Sequence, residues 1–347
     1  MTIDNSKFMK MPRVGQRKIA ELSGVSISTV SRVLNNLPGV KKSVQERVLA
    51  AATELGYQKD EPKRTGRIQA VSLLTSLPLG PSMDTFHADV LHGVELACGR
   101  EGIQLSYATS GSNATKSDMI ERLKQNPVDG LLLLSLDDVT LIEQIRSLNL
   151  PTVMINVDHR ELPMDTFLPD NRQGALLAMR HLVSQGHRRI LHITASDRRT
   201  IQRRFEAYKA VLAEADIPYD PQLIINNHLG AEDTYEKMKR RLAEKKPDFT
   251  AIFCANDVAA MGALRALQET GLQVPQDISV IGFDDIATAA FLSPPLTTVR
   301  IESVELARLA LNRLLDRAAE PNLTPIRVLL SCRLIERQSV ATLNSPG

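Results

Sequence analysis

The chain has few of the residues and segments that define several large classes of protein. It has only three cysteines, Cys98, Cys254 and Cys332, which are far apart and set among apolar neighbours. Reduced thiols in a core explain this usage better than a disulfide framework or a zinc cluster. No apolar run approaches the roughly 18 residues that span a bilayer, and residues 1–18 lack the apolar centre of a signal peptide. We therefore expect a cytoplasmic protein without membrane contact.

Motifs that mark common enzyme classes are also absent. The sequence contains no G-x-S-x-G elbow, no G-x-x-x-x-G-K-[ST] phosphate loop, no G-x-G-x-x-G turn and no H-E-x-x-H pair. Its seven histidines are scattered without ligand spacing. We therefore do not expect an enzyme, and we predict neither a cofactor nor a metal site.

Positive charge is concentrated in the N-terminal part of the chain. Residues 1–67 carry 13 Lys and Arg against 6 Asp and Glu, a net +7, and the other 280 residues carry 29 against 34, a net −5. A basic module before a mildly acidic body is the distribution expected when the module binds phosphates. A basic arm that is merely solvated would give the same count.

Residues 15–57 predict three short helices, preceded by a flexible arm at 1–14. The first helix ends at a Ser-Gly break and carries on one face Ile19, Ala20 and Leu22. The second begins near Ser26, whose hydroxyl can cap it, and its apolar stripe is Val30, Val33 and Leu34. The third ends at the left-handed cap Gly56, and its apolar positions are Val44, Val48, Leu49, Ala52 and Leu55. The tight turn between the first two helices predicts a helix-turn-helix.

The character of the sequence changes after residue 57. Residues 58–67 are charged, contain Pro62 and Gly66 and lack an apolar face, which predicts a hinge linker. Beyond it, apolar strand-like runs such as AVSLLT and TVMI alternate with amphipathic helical segments. This alternation predicts an α/β core of parallel sheets covered on both faces by helices, and the length favours two lobes.

The second predicted helix has the composition of a helix that reads DNA. Such a helix must be slim enough to approach base edges in the major groove and must present donors and acceptors. Its outward positions are Ile27, Ser28, Ser31, Arg32 and Asn35. Arg32 can contact guanine or clamp a phosphate, and Thr29 and Ser31 can bind phosphate oxygens. The flanking bases that would fix the register on the backbone are Arg17, Lys18, Lys41 and Lys42. The alternative is a solvated three-helix unit whose hydroxyls only cap helices.

Residues 15–57, GQRKIAELSGVSISTVSRVLNNLPGVKKSVQERVLAAATELGY, closely resemble the N-terminal headpiece of the lactose and galactose repressor family. Further matches follow in the family's order: LVSQGHRRI, IFCANDVAAMGALRAL, VPQDISVIGFDD and PPLTTVR. The resemblance implies a transcription regulator, most often a repressor, with a core like a periplasmic sugar-binding protein at 68–341. It implies a first lobe at about 68–168 and 298–325 and a second at about 169–297 and 326–341. It also implies Ile27, Ser28 and Arg32 as base readers, with Asn35 close by.

The family resemblance and the size of the module both favour a homodimer. One headpiece buries too little surface for strong specificity, whereas two headpieces on a pseudo-palindromic double-stranded operator add their contacts. The C-terminal RQSVATLNSPG carries no heptad repeat, so a dimer is preferred to a tetramer.

An effector is expected between the lobes, where polar residues follow the carboxyl ends of parallel strands. The strand-end and helix-start residues Phe86, Asn156, Asn256 and Asp284 fit this rule, and Arg204 and Asp170 match ligand-side positions of the family. Planar amide, carboxylate and guanidinium groups suit a sugar, sugar acid or sugar phosphate. Asp170, Asp257 and Asp285 are alternatively helix caps. The basic run Arg198, Arg199 and Arg203 either favours an acidic effector or is a solvated surface.

Two features depart from the family pattern. The hinge of the family usually becomes a helix that pushes an apolar side chain into the minor groove, but Pro62 and Gly66 do not favour a helix here. Our hypothesis is an electrostatic minor-groove contact through Lys63, Arg64 and Arg67. Lys41 stands where a capping serine is common. The alternative function is a solute-binding protein without a DNA-regulatory role, which the basic headpiece opposes.

Overall fold

The computed structural model describes residues 16–34, 39–55, 68–76, 85–109, 116–196 and 198–343. These residues fall into two compact units, one before Gly66 and one from Gly66 onward. The predicted arm at 1–14, the hinge at 58–67, Asn35 and Arg64 lie outside the described residues.

The first unit consists of three helices, α1 Gln16–Ser23, α2 Ile27–Leu34 and α3 Lys42–Glu54. Ile19, Val30 and Val48 meet in its core with no exposed surface. Leu22 and Leu49, predicted on the apolar stripes, are instead 49% and 51% exposed. Three helices of this length cover only one narrow face of each other, so apolar residues on the flank of a stripe stay in solvent.

The second unit contains twelve strands and eight α-helices among its described residues. The strands are β1 Ala70–Thr75, β2 Gln104–Thr109, β3 Gly130–Leu134, β4 Thr152–Ile155, β5 Asp165–Pro169, β6 Ile190–Thr194, β7 Ile224–Asn226, β8 Ala251–Cys254, β9 Ser279–Ile281, β10 Thr298–Arg300, β11 Arg327–Leu330 and β12 Arg333–Ile335. The helices are α4 Thr85–Glu101, α5 Lys116–Gln125, α6 Val139–Arg146, α7 Asn171–Ser184, α8 Arg199–Glu214, α9 Ala231–Glu244, α10 Asp257–Glu269 and α11 Ser303–Ala319, with short 3-10 turns at Pro221–Leu223 and Ala287–Phe291.

Two parallel sheets form the cores of two lobes, as predicted. The first sheet has the order β11-β5-β4-β3-β1-β2, and the second has the order β7-β6-β8-β9. Strands β3, β4, β6 and β8 are buried along their whole length because helices cover both faces of each sheet. All three cysteines are buried and unpaired.

The structure corrects the predicted division of the lobes near the C-terminus. Residues 326–330 are predicted in the second lobe, but β11 pairs with β5 at the edge of the first-lobe sheet, with Val328 opposite Phe167. β10, predicted in the first lobe, pairs antiparallel with β12 and lies against the second lobe through a bridge between Asp284 and Arg300. Strand partners far away in the sequence decide both placements.

The chain passes between the lobes at three places. It crosses from β5 to α7, from β10 to α11 and from β11 to β12. We call β10 and β12, which pair with each other, the crossover strands. Within the part of the chain that the structure describes, no helix is both long and apolar enough to cross a membrane.

Candidate DNA-reading helix and effector cleft

The start of α2 is held by a cluster of hydroxyl groups. Ser26 caps the helix, because its Oγ accepts a hydrogen bond from the backbone N–H of Thr29 at 3.2 Å. The same Oγ lies 2.8 Å from the hydroxyls of both Ser28 and Thr29. The predicted cap is confirmed, and the cluster fixes the direction of the side chains at the tip of the helix.

The side of α2 opposite Val30 and Val33 is open to solvent. Ile27 is 50% exposed, Ser28 and Arg32 are exposed, and Thr29 and Ser31 are partly buried. An apolar side chain exposed at a helix tip is available for contact with a thymine methyl group. The structure thus leaves the predicted base readers accessible on one helix.

The flanking basic residues are accessible as well. Arg17 forms an ion pair with Glu21 of its own helix, at 3.7 Å, and its side chain is 85% exposed. Lys41 occupies the N-cap position of α3 in extended conformation and makes no side-chain capping bond, which leaves its ammonium group at the surface. An exposed pair of this kind holds Arg17 weakly, and the side chain of Lys41 is exposed, so both cations can turn toward phosphates.

Arg204 is the most buried cation of the second lobe's cleft. Its side chain is only 6% exposed, and its Nη1 donates to Asp284 Oδ1 at 3.3 Å and to the carbonyl oxygen of Ala255. Its Nε donates to Asn171 Oδ1 at 2.9 Å, and the guanidinium lies 3.7 Å from the ring centre of Phe283. Burial lowers the pKa of Arg204, and the charge of Asp284 opposes that effect. The structure brings together the two predicted residues Arg204 and Asp284.

A second polar cluster surrounds Ser135 at the end of β3. Its Oγ lies 2.9 Å from Nδ2 of Asn156, 3.1 Å from Nη2 of Arg198 and 2.8 Å from Nε2 of His87. The two donors Asn156 and Arg198 occupy both lone pairs of the hydroxyl, so its hydrogen points to Nε2 of His87. Arg198 is the N-cap residue of the second lobe's α8, and this contact therefore spans the cleft. Ser135 is absent from the predicted set.

Strained backbone concentrates at these strand ends. Seven described residues other than glycine have positive φ, and four of them follow β3, β4 or β9: Ser135 at 49°, Asn156 at 56°, Asp284 at 111° and Asp285 at 56°. Left-handed conformations of such residues cost on the order of 1–3 kcal/mol each and concentrate at binding sites. This clustering supports the cleft as a functional site.

Three buried polar atoms near the cleft lack a hydrogen-bond partner among the described residues. They are Oδ1 of Asn156, Oγ1 of Thr194 at the end of β6 and Oγ1 of Thr200 in the first turn of α8. A buried polar atom without a partner costs roughly 1–3 kcal/mol. A ligand hydroxyl group would satisfy each of them. Nothing in the sequence singles out Thr194 or Thr200.

The remaining predicted effector residues have structural roles in this conformation. Asp170 caps α7 by accepting from Gln173 N at 2.9 Å, and Asn256 caps α10 by accepting from Ala259 N at 2.8 Å. Phe86 is 7% exposed and packs edge-on against His87. Their contact with an effector stays a prediction.

The basic run at the start of α8 is paired with carboxylates, and Arg199 and its partner stay partly in solvent, with side chains 43% and 49% exposed. Each arginine faces a carboxylate of the first lobe, and the pairs are Arg198 with Asp137 at 3.8 Å, Arg199 with Glu161 at 3.0 Å and Arg203 with Asp158 at 2.8 Å. Burial alone would raise the pKa of Asp158, but hydrogen bonds from Arg203 and Arg327 lower it overall. Each of the three arginines therefore already has a carboxylate partner across the cleft.

A helix-turn-helix unit followed by a two-lobed core with a polar cleft defines a ligand-responsive DNA-binding regulator. Comparison with known proteins agrees: residues 17–60 match the family described as bacterial regulatory proteins, lacI family, and residues 179–340 match a periplasmic binding protein-like domain. The chain is 33% identical to the ribose operon repressor of Haemophilus influenzae over 329 residues, which covers 94% of this chain and 98% of that protein. It is 32% identical over 337 residues to the transcriptional repressor PurR of the same species, with the same coverage.

Solved structures show the same relationship. The transcriptional regulator CelR in complex with cellobiose has a TM-score of 0.73 at 31% identity, covering 94% of this chain and all of that one. The lac repressor dimer bound to operator and the anti-inducer ONPF has a TM-score of 0.70 at 25% identity, covering 95% of this chain and all of that one. The chain belongs to the lacI family of bacterial regulatory proteins. This family consists of DNA-binding regulators rather than enzymes, and the predicted family, fold class and class of function are confirmed.

Proposed function

We propose that the chain is a cytoplasmic, homodimeric repressor whose operator affinity is set by a neutral, hydroxyl-rich effector bound between the lobes. The observation that carries this proposal is the cleft itself. Its buried Arg204–Asp284 pair lies in the same cleft as acceptors of Asn156 and Thr200 for which the described part of the chain supplies no hydrogen-bond partner. Sugar hydroxyls both donate and accept, so they can satisfy all of these groups at once.

The charge balance narrows the effector class within the sugars. Since Arg198, Arg199 and Arg203 are each paired with a first-lobe carboxylate, a phosphate or carboxylate of the effector would have to compete with that carboxylate for each of the three arginines. This favours a neutral sugar over a sugar acid or sugar phosphate. The relatives point to two first probes, because one is named ribose operon repressor and another is solved with cellobiose.

A thermal-shift measurement on the full chain tests the effector proposal. A ligand at 100 times its Kd stabilises the native state by about 2.7 kcal/mol, so D-ribose or cellobiose should raise the melting temperature more than ribose 5-phosphate does. Arg204→Met should abolish the shift. Arg180→Met is the matched control, because Arg180 forms an exposed pair with Glu214 at 2.9 Å on the surface of the second lobe. A larger shift with the phosphate would refute the neutral class.

DNA recognition is proposed to rest on the tip of α2. Ile27 and Ser28 would contact base edges, Arg32 a guanine or a phosphate, and Arg17, Thr29, Ser31 and Lys41 the backbone. Asn35 and Arg64, which the structure does not describe, stay predicted contacts. Each good base contact is worth about 1–3 kcal/mol of discrimination.

Operator selection from random DNA, followed by mobility-shift assays, tests the readout. Ile27→Ala should change the preferred base at one position of each half-site. Leu49→Ala, an equally exposed apolar residue on α3, should leave the preference unchanged. The rival function, a solute-binding protein without a DNA-regulatory role, requires that the full chain bind no sequence selectively, with or without ligand.

The effector would act by changing the closure of the lobes and hence the spacing of the two headpieces in the dimer. A coupling of about 1–3 kcal/mol between effector and operator corresponds to a change of roughly 5- to 150-fold in DNA affinity. The sign of the change is read directly from operator titrations with and without the sugar.

A further inference from the structure

The loop after β9 connects the candidate effector pair to the crossover strands. Asp284 accepts a hydrogen bond from Arg204, and the next residue, Asp285, is 3% exposed. The two carboxylate oxygens of Asp285 accept from different arginines: Oδ2 from Nε of Arg300 and Oδ1 from Nη2 of Arg337, both at 2.6 Å. Neither arginine belongs to the loop itself.

The two arginines belong to different passages between the lobes. Arg300 is the last residue of β10, which continues into α11 of the first lobe. Arg337 lies two residues after β12, which follows β11 of the first lobe. Because β10 and β12 pair with each other, with Val299 opposite Leu334, Asp285 holds both crossover strands at one point.

The conformation of this loop depends on its side-chain bonds. Asp284 and Asp285 have φ of 111° and 56°, values that side-chain-bearing residues rarely adopt. Besides the two arginines, the bond from Ile286 N to Oδ2 of Asp257 at 2.9 Å fixes the segment, and the backbone N–H of Asp284 donates to the carbonyl oxygen of Val299 in β10 at 2.8 Å. A strained loop held by a few directed bonds has few positions that keep all of them. Displacement of Asp284 therefore reaches β10 through its own backbone bond to Val299, and it reaches both β10 and β12 through the carboxylate of Asp285.

We infer that Asp285 is a positioning residue that transmits changes at the Arg204–Asp284 pair to the crossover strands and through them to the first lobe. This inference rests on the proposed function, because it takes the Arg204–Asp284 pair as the effector site. An effector that moves Asp284 pulls the neighbouring carboxylate, and the 2.6 Å bonds to Arg300 and Arg337 then move β10 and β12.

The chain offers a matched control with the same chemistry in another place. Asp165 is fully buried, accepts from Nε of Arg313 at 2.8 Å and from Nε of Arg317, and also accepts from Ile326 N at 2.9 Å. Its partners lie in α11 and just before β11, away from the crossover strands and the effector pair. Asp165→Asn should therefore disturb a buried carboxylate bound by two arginines without breaking the proposed connection.

Hydrogen exchange of the full chain tests the connection without a known effector. Asp284→Asn perturbs the site, and exchange is followed in peptides that cover residues 297–302 and 333–337. Asp284→Asn should speed exchange in both peptides about fivefold or more when it is introduced into the unchanged protein or into the Asp165→Asn variant. Introduced into the Asp285→Asn variant, the same substitution should add little to the exchange rates. The readout is this non-additivity, which a general loss of stability would not produce.

Two results would overturn the inference. One is unchanged exchange in both peptides after Asp284→Asn alone. The other is equal acceleration in the Asp285→Asn and Asp165→Asn backgrounds. If Asp285→Asn does not fold by circular dichroism, Arg300→Gln replaces it, because Arg300 is 42% exposed and its loss removes one of the two bonds. Sugar and operator binding are measured separately, so failure of the proposed function is distinguishable from failure of this connection.

Discussion

His192 should make the native state sensitive to acid. It lies in the middle of β6 with no exposed surface, stacked against the rings of Phe253 at 4.7 Å and Tyr208 at 4.9 Å. Its Nδ1 lies 2.9 Å from the carbonyl oxygen of Phe253, which makes Nδ1 the donor, and Nε2 has no hydrogen-bond partner among the described residues. Burial lowers the pKa of His192 from 6.5 to about 4.

The sign and size of the effect follow from these two values. Above pH 6.5 neither state carries the proton, so the free energy of unfolding does not depend on this residue. Between pH 6.5 and about 4, His192 is protonated in the unfolded chain but stays neutral in the native chain. Each pH unit in this window costs about 1.4 kcal/mol, which gives a loss of roughly 3 kcal/mol by pH 4.

Urea unfolding followed by circular dichroism at pH 7 and pH 4.5 measures this loss. His192→Phe keeps an aromatic ring in the stack and removes the titration. Between pH 7 and pH 4.5 the free energy of unfolding of this variant should therefore fall about 2–3 kcal/mol less than that of the unchanged protein. His92→Gln, at an exposed position on α4, serves as the control and should follow the unchanged protein. Equal losses in the unchanged protein and in His192→Phe would refute the reasoning.

Three further substitutions have defined outcomes. Burial, with the nearby charge of Asp284 adding to it, raises the pKa of Asp257 well above its usual value. The native state therefore loses stability as pH rises from about 4 toward that pKa, and Asp257→Asn should flatten the fall in urea titrations between pH 5 and pH 8. Asp165→Ala leaves two arginines without their carboxylate and should cost about 3–5 kcal/mol of unfolding free energy; a loss below 1 kcal/mol would contradict this. Gly174→Ala places a Cβ 2.7 Å from the ring of Phe283, on which Arg204 stacks, so it should cost about 1–3 kcal/mol in thermal melts and weaken sugar binding.

Strands that are apolar along their whole length are predictable from the sequence. AVSLLT and TVMI coincide with β1 and β4 residue for residue. By contrast β5, β10, β11 and β12 are not recognisable as apolar runs, because each is short and includes a charged residue: Asp165, Arg300, Arg327 and Arg333, respectively. β11, for example, alternates between exposed and half-buried residues and pairs with β5 far upstream.

The candidate cleft was predictable where a polar residue follows a buried strand. That rule finds Asn156 and Asp284, and it applies equally to Ser135 after VDGLLLL, which the prediction omits. Thr200 lies on the first turn of a helix and gives no such signal. No local sequence pattern predicts the ion-pair partners of Arg199 and Arg203. These partners, Glu161 and Asp158, lie in a loop of the other lobe.

Because the chain passes between the lobes at the crossover strands, the sheets of the two lobes can be completed only in a certain order during synthesis. The second-lobe sheet is made from β6 to β9, residues 190–281, without interruption. The first-lobe sheet begins at Ala70 yet lacks its edge strand until β11 emerges, and α4 lacks α11, whose Val304 and Ala307 pack against Gly93. During synthesis the lobe that starts first is therefore finished last, and its apolar faces stay uncovered while the second lobe folds. The first lobe is thus the half of the core most exposed to aggregation and to chaperone capture on the ribosome.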